Sequence, residues 1–369
     1  MWMILIVLVL LLGGVTFYTS HRLHRWLRGW WPRLPFAVVL GALGAMTVVM
    51  TLGFLGICLR TVAAYWMAVF VYLFLYTLLG DIIGGLLRLC RFKWCKGALY
   101  RGVTAVTVAT LTAVTVLGGA LHAHRIQHVS YEVAVARTPD VSDIQILLLS
   151  DLHLGAVGSE ERLATIVEQI NSQKPDVVCI AGDFFDTDFA SIEDPQAARD
   201  TLRELKATYG VYACPGNHDA GSTARQMTAF LQDCGIRLLA DEYTLIDDRL
   251  YLVGRRDASP IGSFDGQSRQ PLADFFSPAD PTLPVVVMDH NPMHLDEYAE
   301  GVDLILSGHT HQGQLFPANL VTDGLYTVDY GYYRRDAHSP AMIVTSGVGY
   351  WGMPIRVGTD SELVSIRLT

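Results

Sequence analysis

Four runs of apolar residues without a single charge fill the first third of the chain, and they bound what it can fold into. They cover residues 1–19, 36–59, 62–79 and 103–121, and the third continues toward residue 87 past Asp81. Each is long enough to cross a hydrocarbon core of about 30 Å at about 1.5 Å of helix rise per residue. Glycines inside them (Gly41, Gly44, Gly53, Gly56) are tolerated in membrane helices and let neighbours approach. The first run has no basic lead and is followed by His21, Arg22, His24, Arg25 and Arg28, so it reads as a retained span rather than a cleaved signal peptide. Arg60 and Asp81 read as interfacial residues that end helices. Residues 1–121 therefore form a transmembrane helical region, residues 122–143 a connector with a strand at 130–135, and residues 144–369 a separate domain.

Beyond residue 144 the pattern changes. Five short apolar stretches, each of strand length, end in polar punctuation. Residues 146–149 lead to Ser150, Asp151 and His153. Residues 177–181 lead to Gly182, Asp183 and Asp186. Residues 211–214 lead to Gly216, Asn217, His218 and Asp219. Residues 284–288 lead to Asp289 and His290, and residues 304–306 to Gly308, His309 and His311. Open α/β sheets place their sites at the carboxyl ends of strands. The series gathers carboxylate, amide and imidazole into one cluster, a donor set for hard or borderline divalent metals rather than for a thiolate site. The six cysteines (Cys58, Cys90, Cys95, Cys179, Cys214, Cys234) show no zinc-ribbon spacing.

Between these stretches lie helical periods at 160–171, with Ser159 as N-cap, and at 195–207 and 223–234. Further strands are expected at 250–253, 325–328, 342–345 and 363–368, and a loop rich in Pro, Gly, Ser and Asp at 259–280. Alternating strands and helices followed by more strands point to a layered α/β domain. Asp289 reads as structural, Asp219 as a brace for its own loop, and His122, His124, His128, His294 and His338 as surface or hydrogen-bonded residues. Arg255, Arg256, Arg334 and Arg335 read either as solvated residues or as contacts for an anionic substrate.

The ordered set Asp-x-His, Gly-Asp-x-x-Asp, Gly-Asn-His-Asp, a lone His and Gly-His-x-His resembles the calcineurin-like metallophosphoesterases over about three-fifths of the chain. The closing residues 346–349 and 353–356 are similar to the bacterial membrane-associated phosphodiesterase subgroup. Gln312 departs from that subgroup, which often carries glycine there. The resemblance implies a four-layer α/β/β/α sandwich with two divalent metals. By it, Asp151, His153 and His311 hold one metal, Asn217, His290 and His309 the other, and Asp183 bridges them. His218 is the implied proton donor or phosphate contact, and Asp186 its orienting partner. Manganese suits the mixed N/O set, with iron, zinc or cobalt as alternatives. Glycines 182, 216 and 308 are expected to permit tight turns before the ligands.

These readings give a membrane-anchored phosphoesterase acting on a phosphodiester, phosphomonoester or pyrophosphate, in a lipid or membrane-proximal substrate. The alternative is a catalytically silent membrane scaffold or sensor. No basic patch with interleaved aromatics suggests nucleic acid. Basic loops after the first and third spans (Arg22, Arg25, Arg28, Arg33; Arg88, Arg91, Lys93, Lys96, Arg101) flank a loop carrying only Arg60. Basic loops stay inside, which sends the domain to the extracytoplasmic side of a bacterial cell membrane. There one pair of its three cysteines could bridge.

Overall fold

The structure is a computed structural model describing residues 2–57, 59–92, 94, 97–135, 141–298 and 301–369. Cys58, Cys95, Lys93 and Lys96 lie outside the described residues. The chain divides into two compact units, residues 1–121 with 353–355, and residues 122–352 with 356–369.

The first unit contains α1 (Trp2–Leu27), α2 (Phe36–Phe54), α3 (Arg60–Leu89) and α4 (Ala98–Ala123). Among the described residues, α2, α3 and α4 are long and apolar enough to cross a membrane, with mean hydropathies of 2.1, 2.0 and 1.8. Arg60 opens α3 as expected of an end residue, but Asp81 lies inside that helix. Its carboxylate accepts a hydrogen bond from the Tyr18 hydroxyl at 2.7 Å and pairs with Arg22, both on α1. A carboxylate in an apolar span needs such partners, because desolvating it unpaired is costly. The pair therefore ties α1 to α3, where the sequence suggested a helix stop.

In the second unit two six-stranded sheets stack face to face. The first runs in the order β1 (Ile126–Val133), β12 (Ser361–Leu368), β2 (Gln145–Leu149), β3 (Val177–Ala181), β4 (Val211–Cys214), β5 (Ile236–Leu238). The second runs β10 (Gly331–Arg334), β11 (Ala341–Val344), β9 (Leu304–Ser307), β8 (Val285–Met288), β7 (Leu250–Gly254), β6 (Glu242–Ile246). β12 pairs parallel with β1 and antiparallel with β2. Side chains alternate across each strand. Leu147 and Leu149 of β2 pack against α5 (Ser159–Ser172), α6 (Pro195–Leu202) and α7 (Ala224–Asp233), while Ile146 and Leu148 face the second sheet. Val286 and Met288 of β8 enter the same inter-sheet core, and Val285 and Val287 face out toward α8 (Leu272–Phe275) and Tyr298. Both faces of the central strands are buried, which is why they read as continuous apolar runs. The four-layer order expected from the resemblance is the one observed, with a thin outer layer on the second sheet.

Several local expectations change. The early strand begins at Ile126, and α6 stops at Leu202 rather than running on to 207. Gly158, not Ser159, holds the cap position of α5; the Ser159 hydroxyl instead accepts from the Gly155 amide at 3.0 Å. The strand expected at 325–328 is absent. Leu325 ends α9 (Asn319–Leu325), and the strand comes later as β10. Cys179, Cys214 and Cys234 are buried free thiols, so the bridge allowed for above is not formed.

Candidate metal centre

The polar residues that follow β2, β3, β4, β8 and β9 converge at one edge of the stacked sheets. Three overlapping groups have donor atoms within 4.8 Å of one another: Asp151, His153 and His311; His153, Asp183 and His218; and Asp183, His290 and His309. Asn217 joins through its Oδ1, 2.9 Å from His309 Nδ1. All nine site residues expected from the sequence thus lie at or beside one cluster.

The backbone at these positions is unusual. Asp151, His153, Asp183, His309 and His311 have φ of 54, 48, 50, 73 and 49°, in the left-handed region that a β-carbon disfavours. Such conformations cost on the order of 1–3 kcal/mol each and persist where the surroundings over-determine them. Gln312, standing where the similar subgroup carries glycine, shares this conformation with φ 51°. Of the three glycines expected to ease turns, only Gly182 has positive φ, at 79°. Gly216 and Gly308 are needed for space: a Cβ there would lie 2.2 Å from Asp183 Oδ1 and 2.4 Å from Asp151 Oδ2.

Hydrogen bonding fixes what the imidazoles present. His290 Nδ1 sits 2.8 Å from the Ala181 carbonyl, which can only accept, so Nδ1 carries the proton. Its Nε2 faces Asp183 Oδ2 at 3.2 Å and His309 Nδ1 at 3.2 Å. Across the cluster His153 Nε2 and His311 Nε2 approach to 3.1 Å, and His311 Nε2 lies 3.2 Å from Asp151 Oδ1. Imidazole and carboxylate atoms gathered this closely in a buried space can share a cation. With oxygen and nitrogen donors only, the residues fit divalent metal ions.

The acids and imidazoles of the cluster shift one another. Burial alone would raise the carboxyls of Asp151 and Asp183. The surrounding imidazoles, His311 foremost for Asp151 and His290 for Asp183, instead hold both well below the usual carboxylate range. Burial likewise works against charging His290, yet Asp183 and then Asp151 push it well above its ordinary value. His153 is raised against its burial by Asp186, Asp183 and Asp151. His309, buried and beside His290, falls to about 4, and His311 falls because burial outweighs Asp151.

The residues around the cluster divide by what they touch. His218 Nδ1 bonds the backbone carbonyl of Asp186, and its amide donates to Asp183 Oδ1 at 2.9 Å. Orientation of His218 by residue 186 thus runs through the main chain. The Asp186 carboxylate faces His153 Nδ1 at 3.4 Å without a hydrogen bond. Asp219 accepts from the amides of Gly216, Phe184 and Phe185, bracing its own turn and that after β3. Asp289 turns away from the cluster to meet Arg269 and Tyr298. None of the four arginines weighed for an anionic substrate is positioned for one. Arg255 is fully buried against Asp241, Arg256 pairs with Asp241, Arg335 with Asp296, and Arg334 bonds the carbonyls of Ser339 and Ala134.

Sequence reasoning missed two other arginines. Arg356, fully buried, donates to the carbonyls of His311, Ser346, Gly347 and Gly349. The loop it gathers covers Asp151: a Cβ at Gly347 would lie 2.8 Å from Asp151 Cβ. Arg269 grips both oxygens of Asp289, next to His290, at 2.9 and 2.7 Å. The only signal for Arg356 was its place in the closing similarity; Arg269 lay in the stretch read as a loop.

Residues 144–313 match the family model for calcineurin-like phosphoesterases. An uncharacterized metallophosphoesterase of Helicobacter pylori is 32% identical over 234 residues, covering 61% of this chain and 60% of that protein. A zebrafish (Danio rerio) transmembrane protein with a metallophosphoesterase domain is 28% identical over 285 residues, covering 74% and 64%. The UDP-2,3-diacylglucosamine pyrophosphatase LpxG of Chlamydia trachomatis is 24% identical over 285 residues, covering 61% and 83%. The chain thus spans less than two-thirds of the length of the first two relatives. Together with the apolar helices, the transmembrane relative supports a membrane protein.

Proposed function

We propose, from the calcineurin-like phosphoesterase domain over residues 144–313, that this protein is a membrane-anchored, two-metal phosphoesterase. The observation that carries the reading is the set of three overlapping acid–imidazole groups, whose ligand atoms lie close together across the ends of five strands. In this reading Asp151, His153 and His311 would hold one metal, Asn217, His290 and His309 the second, and Asp183 would lie between them. Two divalent cations so placed polarise the phosphoryl oxygens and supply a water acidic enough to attack near neutral pH. The chain's own groups do the rest. The His290 tautomer set by Ala181 aims Nε2 inward. His218, held at Nδ1 by the Asp186 carbonyl, keeps Nε2 for a proton that passes to the leaving oxygen.

The substrate in this reading is a lipid or membrane-proximal phosphoester. Support comes from the apolar helices and from the relative whose name gives a diacylglucosamine pyrophosphatase activity. The loop charges favour a domain on the extracytoplasmic face of a bacterial membrane. Activity is tested by stripping metal from the full chain with chelator and restoring Mn²⁺, Fe²⁺, Zn²⁺ or Co²⁺ singly, against an aryl phosphomonoester, an aryl phosphodiester and a lipid pyrophosphate. Chelation should abolish turnover and at least one metal should restore it; unchanged turnover after verified metal removal overturns the reading. A C-terminal alkaline phosphatase fusion tests the orientation, and a fusion inactive in a cell where extracytoplasmic controls are active reverses it.

A further inference from the structure

The rim of the site next to His311 is built inside out. α9 has no buried residue, and Leu320, Val321 and Leu325 are 62, 59 and 69% exposed. Phe316 before it is 51% exposed, and Trp351 is 44% exposed. These side chains belong to one rim. Gln314 exchanges two hydrogen bonds with the Trp351 backbone, at 3.1 and 2.8 Å, and so ties that residue to the turn carrying Phe316. α9 is pressed onto the ligand turn, since a Cβ at Gly313 would fall 2.4 Å from the Asn319 amide nitrogen. Polar contacts hold it there: Thr322 bonds the Asp329 carboxylate at 2.9 Å, and Thr310 the Asp329 carbonyl at 2.6 Å. Tyr326, just after α9, has its ring 6.1 Å from that of His309. A short helix that turns its apolar side chains outward and its hydroxyl inward reverses the usual arrangement, and such exposed apolar surface marks a binding site.

We propose that this rim seats the hydrocarbon chain of a lipid phosphoester, so that the substrate of the metal site is an amphiphile with its phosphoryl head on the metals and its chain along Phe316, α9 and Trp351. The proposal rests on the phosphoesterase reading above. Three observations select this occupant. Between residues 315 and 325 the only charge is Asp323, which gives an ionic ligand nothing to grip. The rim offers five large apolar side chains, whereas a stable protein partner needs about 20–30 residues a side. The chain's own apolar helices put it in a membrane, where molecules joining a phosphoryl group to hydrocarbon are at hand, and tryptophan at the edge of such a surface is the side chain that suits the water–hydrocarbon boundary.

The test uses the metal-loaded full chain in amphipol and matched 4-nitrophenyl substrates, phosphodiesters and pyrophosphates, carrying either a methyl or an octyl group and kept monomeric. The leaving group is constant, so the octyl-to-methyl ratio of kcat/KM reads recognition of the chain and cancels any general loss. Full burial is worth about fourfold per methylene; a chain on an open rim gains part of that, and a ratio of about tenfold or more is expected. The exposed triple variant L320S/V321S/L325S should bring the ratio to within about threefold of one. A wild-type ratio near one, or a variant that keeps the wild-type ratio, overturns the proposal. A variant that keeps the ratio but loses turnover only in lipid nanodiscs assigns the rim to the bilayer and also overturns it. If no aryl phosphoester is hydrolysed under any metal, the phosphoesterase reading fails first, which is a separate result.

Discussion

The first sheet ends in Asp151, His153, Asp183 and Asn217; the second ends in His290, His309 and His311. One side brings both acids of the cluster, the other only imidazoles. Each side is also oriented by the opposite one. Ala181 on β3 fixes the His290 ring, and the His309 amide donates to the Asp151 carboxylate at 3.1 Å. Behind each side stands an arginine of different character, Arg356 buried and Arg269 partly so. Arg356 is satisfied by carbonyl oxygens and gathers the loop over Asp151 with the turn of His311. Arg269 is satisfied by carboxylates, Asp289 and Glu297, next to His290. The comparison teaches that neither sheet carries a site alone, and that each half has its own means of holding still.

The largest expected effect comes from removing Asp183, the acid shared by two of the three donor groups. Asp183→Ala should lose both metals, read by elemental analysis, and bring aryl phosphoester turnover to background. A variant retaining one tightly held metal would show that the halves are independent. Next, His218→Ala should keep both metals and lose about 10²–10⁴ in rate, less with good leaving groups that need no proton. Loss of metal in that variant would move His218 into the ligand set. Smaller and more discriminating is the pair Arg356→Met and Arg269→Met. Residues that orient metal ligands typically change affinity about 10–100-fold. Arg356→Met should weaken one of two metals resolved by calorimetric titration, and Arg269→Met the other. Weakening of the same metal in both variants would show that the two arginines do not serve separate metals. The smallest effect belongs to the exposed pair Arg225–Asp265, remote from either arginine's role. Arg225→Ala should leave the denaturant unfolding midpoint unchanged within error and leave metal binding untouched.

What could be read from the sequence, and what could not, follows from where information about a residue resides. β2, β3, β4, β8 and β9 were legible because both faces of each are buried and the apolar run ends abruptly in polar residues. The candidate donors were legible because they follow those ends directly. β5 and β6, by contrast, are short and partly exposed, so no pattern marked them. The strand misplaced at 325–328 joins an exposed Leu325 to a buried Val328, and local hydrophobicity cannot tell one from the other. The left-handed backbone at Asp151, Asp183 and His309 was illegible for another reason: these residue types do not select that conformation, and contacts across the two sheets impose it. Arg356 lies far along the chain from the Asp151 it serves, and its partners are carbonyls, which leave no trace in side-chain chemistry.

The placement of β12 between β1 and β2 has a consequence for the order of events during synthesis. β1 leaves the ribosome first, directly after α4, and its partner β12 is made after every other strand of these two sheets. Until then the first sheet has a gap in its middle, with an edge of β2 open to any passing strand. Asp151 and Asp183 emerge earlier, on a sheet that cannot yet close. Pairings between such distant segments form slowly. A nascent chain stalled before Ser361 would display every candidate ligand on an unfinished scaffold.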